Sequence, residues 1–153
     1  MKQIAILIVS ILAFVSCDKL PDDKELDGMW QLTSIEKDGD IMNKKPDHAY
    51  WCFRLNLLQM STTDNNPFFA HVRHKEDSLL LTDICYNSKN ETLQDNNNWV
   101  PIEEADTLLL YGVYPTSDPN KPGRTKASYH IDELSSSRMV LKDHICKLTF
   151  RKY

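Results

Sequence analysis

Tyr50-Trp51-Cys52-Phe53-Arg54-Leu55-Asn56-Leu57-Leu58 alternates apolar and polar side chains one by one, and that period decides what kind of fold this chain adopts. Successive side chains of a strand point to opposite faces, so Trp51, Phe53, Leu55 and Leu57 share one face while Cys52, Arg54 and Asn56 share the other. The stretch predicts one strand with one buried face. The pattern recurs at the carboxyl end, where Cys146, Leu148 and Phe150 alternate with Lys147, Thr149 and Arg151. Just before it, Met139 and Leu141 alternate with Arg138, Val140 and Lys142, and the intervening Asp143-His144 predicts a tight hairpin. Met29 to Lys37, Phe68 to His74, Ser78 to Asp83 and Ala127 to Asp132 predict further strands, with Asp38-Gly39-Asp40 and Lys75-Glu76-Asp77 as polar turns.

One segment breaks this period. Pro101 is followed by Glu103, Glu104 and Asp106, then by Leu108 to Tyr111 and Gly112. Proline and carboxylates belong where a helix starts and glycine where it stops, so one short helix is expected here. Asn87 to Trp99 and Thr116 to Arg124 are rich in Asn, Asp, Pro and Ser and predict long loops. About seven or eight short strands with a single helix indicate an all-β barrel or sandwich.

Composition narrows the function classes. A chain of 153 residues with net charge −4 fits one domain and gives no basic surface for nucleic acid. Its four glycines, Gly28, Gly39, Gly112 and Gly123, build no phosphate loop or dinucleotide fingerprint. His71 and His74 are the only close pair of histidines, and a spacing of three on a strand puts them on opposite faces, so no metal site is expected. No Gly-x-Ser-x-Gly elbow occurs, and Glu103-Glu104 are helix neighbours that do not face each other; no catalytic constellation and no cofactor are expected. Cys52, Cys85 and Cys146 show no Cys-x-x-Cys spacing, which leaves either buried free thiols or one disulfide.

Lys2 followed by an apolar run from Ile4 to Val15 has the architecture of a secretory signal, too short to span a bilayer. Phe14-Val15-Ser16-Cys17 resembles the lipobox of bacterial lipoproteins, with phenylalanine where leucine is usual. The resemblance implies removal of residues 1–16 and acylation of Cys17, with an ordinary signal peptide as the alternative. Several acyl chains, at about 0.8 kcal/mol per buried methylene, moor a protein to a membrane. Residues 17–27 carry Asp18, Asp22, Asp23, Glu25 and Asp27 with little to bury, and are expected to form a flexible tether. That acidic run also resembles the surface-export signals of some Bacteroidota lipoproteins, a solvated linker being the other reading.

Gly28-Met29-Trp30 heads the first strand, and Leu134 to Leu141 runs into Lys147-Leu148-Thr149-Phe150-Arg151-Lys152-Tyr153 at the last. Together these stretches are similar to the small lipocalin-like lipoproteins of Bacteroidota. The resemblance implies an eight-stranded up-and-down antiparallel β-barrel over residues 28–153, with Trp30 closing the barrel floor and Arg151 as the cation over its ring. The family's Thr-Asp-x-Tyr loop is lacking, because Thr82-Asp83-Ile84-Cys85 has no tyrosine. Asp77-Ser78-Leu79 and Asp106-Thr107-Leu108 resemble O-glycosylation sites of exported Bacteroidota proteins.

Two non-enzymatic functions follow. In the first, a monomer held in the outer membrane by its lipid binds a small apolar or amphipathic ligand inside the barrel, against Trp51, Phe53, Leu55, Leu57, Tyr129 and Phe150. Those same side chains equally suit a solid interior. In the second, the solid barrel is a platform whose two long loops bind an envelope protein or a glycan, with Trp99 either as anchor or folded back onto the barrel as a lid.

Overall fold

The computed structural model describes residues 23–65, 67–86 and 99–153. Its strands are β1 (Gly28–Lys37), β2 (Asp40–Asn43), β3 (Tyr50–Arg54), β4 (Leu57–Ser61), β5 (Phe68–Lys75), β6 (Ser78–Tyr86), β7 (Thr116–Ser117), β8 (Thr125–Leu134), β9 (Arg138–Lys142) and β10 (Cys146–Lys152). In the order β1, β3, β4, β5, β6, β8, β9, β10 each pairs antiparallel with the next, and β10 returns to β1, closing an eight-stranded barrel. Closure leaves no open edge in the wall. β2 extends one side of β1 and β7 flanks β8.

The long alternating stretch is not one strand. Leu55 takes φ +58 and the chain reverses at Leu55-Asn56, so that Trp51 pairs with Met60 and Phe53 with Leu58. A two-residue turn resets which residues face inward: Leu58 and Met60 are fully buried, whereas Leu55 is 40 % exposed and Leu57 only half-buried. The expectation that Leu55 and Leu57 line the interior is thereby corrected.

Trp30 is wholly buried at the closed end, where its Nε1 donates to the Leu26 carbonyl at 2.7 Å. Lys152, not Arg151, covers the indole, with its Nζ 4.8 Å from the ring centroid. The register explains this correction: Trp30 stands opposite Lys152 and Gln31 opposite Arg151, and directly opposed residues share a face. Arg151 instead donates its Nε to Gln31 Oε1 at 2.8 Å. A Cβ on Gly28 would meet Lys152 Cε at 2.9 Å, so the bare glycine gives the lysine stem its path.

The stretch expected as tether is folded over its described part. Leu26 is 1 % exposed beneath Trp30, Asp27 N donates to the Asp23 carbonyl at 2.7 Å, and the Asp23 carboxylate meets His74 Nδ1. One buried leucine and a hydrogen-bonded turn extend the body to Asp23. Residues 1–22, with the signal-like segment and Cys17, lie outside the described residues, as do residues 87–98 of the first long loop.

The opposite end is stopped by the expected helix, which spans Ile102–Tyr111 after Pro101 and ends at Gly112. It is a 3-10 helix. Three residues per turn align Leu108 with Tyr111 on one side, and these two are its buried residues. Gly112, at φ +76, presses so close to the barrel that a Cβ would stand 2.7 Å from Leu148 Cδ2.

Candidate functional site

The interior residues named from sequence meet one another. Trp51 lies at ring-centroid distances of 5.0 Å from Phe150, 5.9 Å from Tyr129 and 6.0 Å from Phe53, and all four are at most 2 % exposed. Aromatic rings at such spacings are in contact and leave no room for a guest. Trp51 Nε1 donates to the Tyr111 carbonyl at 3.1 Å, so the indole that suggested a ligand contact fastens the plug. The clefts at the rim and on the outer wall are lined by residues other than Trp51, Phe53, Tyr129 and Phe150. The expected interior ligand position is corrected: the barrel is filled. Burial pushes the Tyr129 phenol well above its ordinary pKa, and its hydroxyl has no hydrogen-bond partner among the described residues.

Space lies instead at the rim, between the plug helix and the mouth ends of β5 and β6. A cleft of about 350 Å³ there is lined by Phe68, Tyr86, Leu110 and Tyr111, with Asn65 and Thr107 at its edge. Phe68 is central: its ring lies 4.9 Å from Tyr86 and 5.5 Å, edge-on, from Tyr111. Tyr86 Oη donates to Glu104 Oε2 at 2.6 Å. Burial, and then the Glu104 carboxylate that accepts this proton, raise the Tyr86 pKa, so the phenol stays a donor at neutral pH. An aromatic floor with a hydroxyl and a carboxylate at one edge fits a small ligand with an apolar body and a polar end.

Over residues 12–153 the chain matches the family model for a lipocalin-like domain. It belongs to the lipocalin-like family. A lipocalin-like protein from Bacteroides uniformis has a crystal structure that superposes with TM-score 0.54 at 21 % identity, covering 84 % of this chain and 99 % of that one. The structure of an uncharacterized protein from Bacteroides eggerthii superposes at 0.56 with 19 % identity, covering 83 % and 98 %. At such identities the likeness is one of fold. No protein of curated function matches the chain in sequence.

In this lipocalin-like barrel the two histidines singled out are separated: His71 lies on the outer wall, while His74 at the closed end meets the Asp23 carboxylate through Nδ1 and donates Nε2–H to the Glu76 carbonyl, 2.9 Å away. The three described cysteines are free thiols. Trp99 takes the folded-back alternative of its two readings: it bridges to Cys85 and lies under Arg124, whose guanidinium carbon is 3.9 Å from the ring centroid. Thr107 is spoken for in part, its Oγ1 donating to the Glu104 carbonyl at 2.8 Å. Phe68, Leu110 and Tyr111 carried a sequence signal only as strand or helix residues, and Tyr86, beyond the predicted strand end at Asp83, carried none. Nothing local marks residues from three elements as one cleft.

Proposed function

We propose that this lipocalin-like protein is a non-enzymatic binding module that holds a small apolar or amphipathic ligand in the rim cleft. The observation that carries the reading is the contrast between a filled interior and an aromatic-floored cleft of about 350 Å³ at the mouth. That volume lies at the small end of the range of about 300–1,000 Å³ for ligand sites. The missing nucleophile elbow and the dispersed histidines support binding over catalysis.

The signal-like run and the lipobox-like Phe14-Val15-Ser16-Cys17 support a monomer exported to the cell envelope and held in the outer membrane by acylated Cys17. Asp23 joins the barrel beside His74, at its closed end. A lipid at Cys17, six residues earlier in the sequence, would therefore tether that end within about 20 Å of the bilayer and turn the rim cleft outward.

The Cys17→Ser protein, made without its signal segment, is the material for the test. Titration with the neutral probe N-phenyl-1-naphthylamine is expected to saturate at one site, and native mass spectrometry to find a retained small molecule. Leu110→Arg, on the half-buried cleft wall, abolishes both signals without unfolding the barrel. Absence of saturable binding and of any retained molecule in the unsubstituted protein would overturn the ligand reading.

A further inference from the structure

A second cleft, of about 410 Å³, opens on the outer wall where the 118–124 turn folds over β5 and β6, away from the mouth. Its wall carries His71 and Arg73 from β5, Leu80 and Thr82 from β6, and Asn56 from the β3–β4 turn. Lys121 and Asp83 form one border. In a chain of net charge −4, this is a concentration of cations and neutral donors.

Asp83 does not cancel them. Lys121 Nζ donates to its Oδ1 at 2.8 Å and its Oδ2 at 2.6 Å, and Arg124 Nη1 donates to Oδ1 at 2.9 Å. One carboxylate thus faces two cations. Arg73 and His71 take part in no hydrogen bond or ion pair among the described residues, and both are exposed toward the cleft. The balance of charge at the cleft is positive.

The local backbone is specialised to build this arrangement. Two residues of β6, Asp83 and Ile84, oppose the single Ala70 of β5, a bulge in which Asp83 adopts φ +54. That region is strained for a non-glycine residue, and it is maintained where surrounding contacts demand it. The bulge lets Asp83 and Thr82 both reach the outer wall, and Asp83 then fixes Lys121 at the border. The 118–124 turn is itself held by Asp118 N to the Arg124 carbonyl at 2.8 Å and Asn120 N to Asp118 Oδ1 at 2.9 Å. A fixed lysine, an unpaired arginine, a hydroxyl and an amide around one concavity are the donors that recognise an oxyanion.

We propose that this outer-wall cleft binds the oxyanion of a small polar organic ligand, a carboxylate or phosphate carried on a body of monosaccharide size. Arg73 supplies the bidentate fork, Lys121 the second charge, and Thr82 and Asn56 the neutral donors, while Leu80 offers an apolar patch to the ligand's body. The site is independent of the rim cleft and stands whether or not that cleft is occupied.

Amide chemical-shift titration of the Cys17→Ser protein with glucuronate, glucose 6-phosphate and neutral glucose tests it. Shifts at Arg73, Thr82 and Lys121 are expected with at least one of the two anions, and the tighter of them identifies the preferred oxyanion. Glucose should bind at least about tenfold more weakly, and Arg73→Gln should weaken the anion by a similar factor. Arg73 is exposed and unpaired, so this substitution leaves the fold intact; Leu110→Arg leaves anion binding unchanged and separates this site from the rim cleft. The proposal is overturned if neither anion shifts these amides at millimolar concentration, if glucose binds equally well, or if Arg73→Gln binds like the parent.

Discussion

At Asp83 a carboxylate only 9 % exposed is held by two cations in a backbone conformation that aspartate seldom adopts. Burial works to raise its pKa, but the hydrogen bonds and charges of Lys121 and Arg124 outweigh it and leave the group below its ordinary 3.8. A carboxyl whose folded pKa is depressed stabilises the fold above its unfolded value, and that contribution disappears as pH falls through the folded value. Asp83→Asn should therefore cost about 1.5–3 kcal/mol at pH 7, the worth of hydrogen bonds to a charged group. In urea unfolding series, the gap between the two proteins should close as pH falls below about 3.8. A gap that persists undiminished in acid would show that the carboxylate charge is not what Lys121 and Arg124 hold.

At the scale of elements, the plug helix and Gly112 convert an open barrel into a filled one. The stop is tied by the Trp51–Tyr111 bond and by Gly112 pressed on Leu148 and Ile35. Gly112→Ala combines a positive φ with a methyl group 2.7 Å from Leu148 Cδ2. Left-handed backbone costs alanine about 1–2 kcal/mol and overpacking a core a further 1–3, so a loss of about 2–5 kcal/mol is expected by thermal or urea unfolding. A neutral result would mean that the plug yields freely, and with it the case for a sealed interior. The β3–β4 turn is a second element-scale decision. Leucine at φ +58 is a poor turn residue, yet the pairing of Trp51 with Met60 and Phe53 with Leu58 overrides that local preference.

Considered whole, the molecule closes by joining its first strand to its last, Trp30 to Lys152, so the wall opens only if pairings distant in sequence are lost. Its free thiols report this. Cys146 and Cys85 are each 5 % exposed, and burial first, with the nearby Asp143 second, pushes the Cys146 thiol up to about 12. Cys85 is raised by the same first cause, with Asp83 adding to it. The thiolate is the reactive form, so neither should react with Ellman's reagent at pH 8 in the folded protein, while the half-buried Cys52 reacts slowly. Labelling of the two buried thiols should track global unfolding, and reductant should leave Tm unchanged. Fast labelling of Cys146 in native buffer would contradict a closed barrel.

How much of this was legible beforehand depends on the range over which each feature is decided. One-step alternation and helix-end chemistry are local, so Cys146 to Arg151, Arg138 to Lys142 and the Pro101–Gly112 helix were readable as elements, and Gly28-Met29-Trp30 pointed to the family. The parity switch after Arg54 left only a weak trace in the doubled Leu57-Leu58, because cross-strand pairing and not turn propensity places it. Lys152 over Trp30 follows from the β1–β10 register, and Leu26 beneath that ring follows from how the floor is closed. The outer-wall cleft joins Lys121 to Asp83 across 38 positions, and the rim cleft joins β5, β6 and the plug. The sequence by itself thus determined a β-rich chain of the lipocalin-like family, since side-chain period and motif are properties of neighbours. Only the tertiary structure decided that the interior is full and that free space lies at the rim and on the outer wall, because packing depends on which distant side chains arrive at the same place.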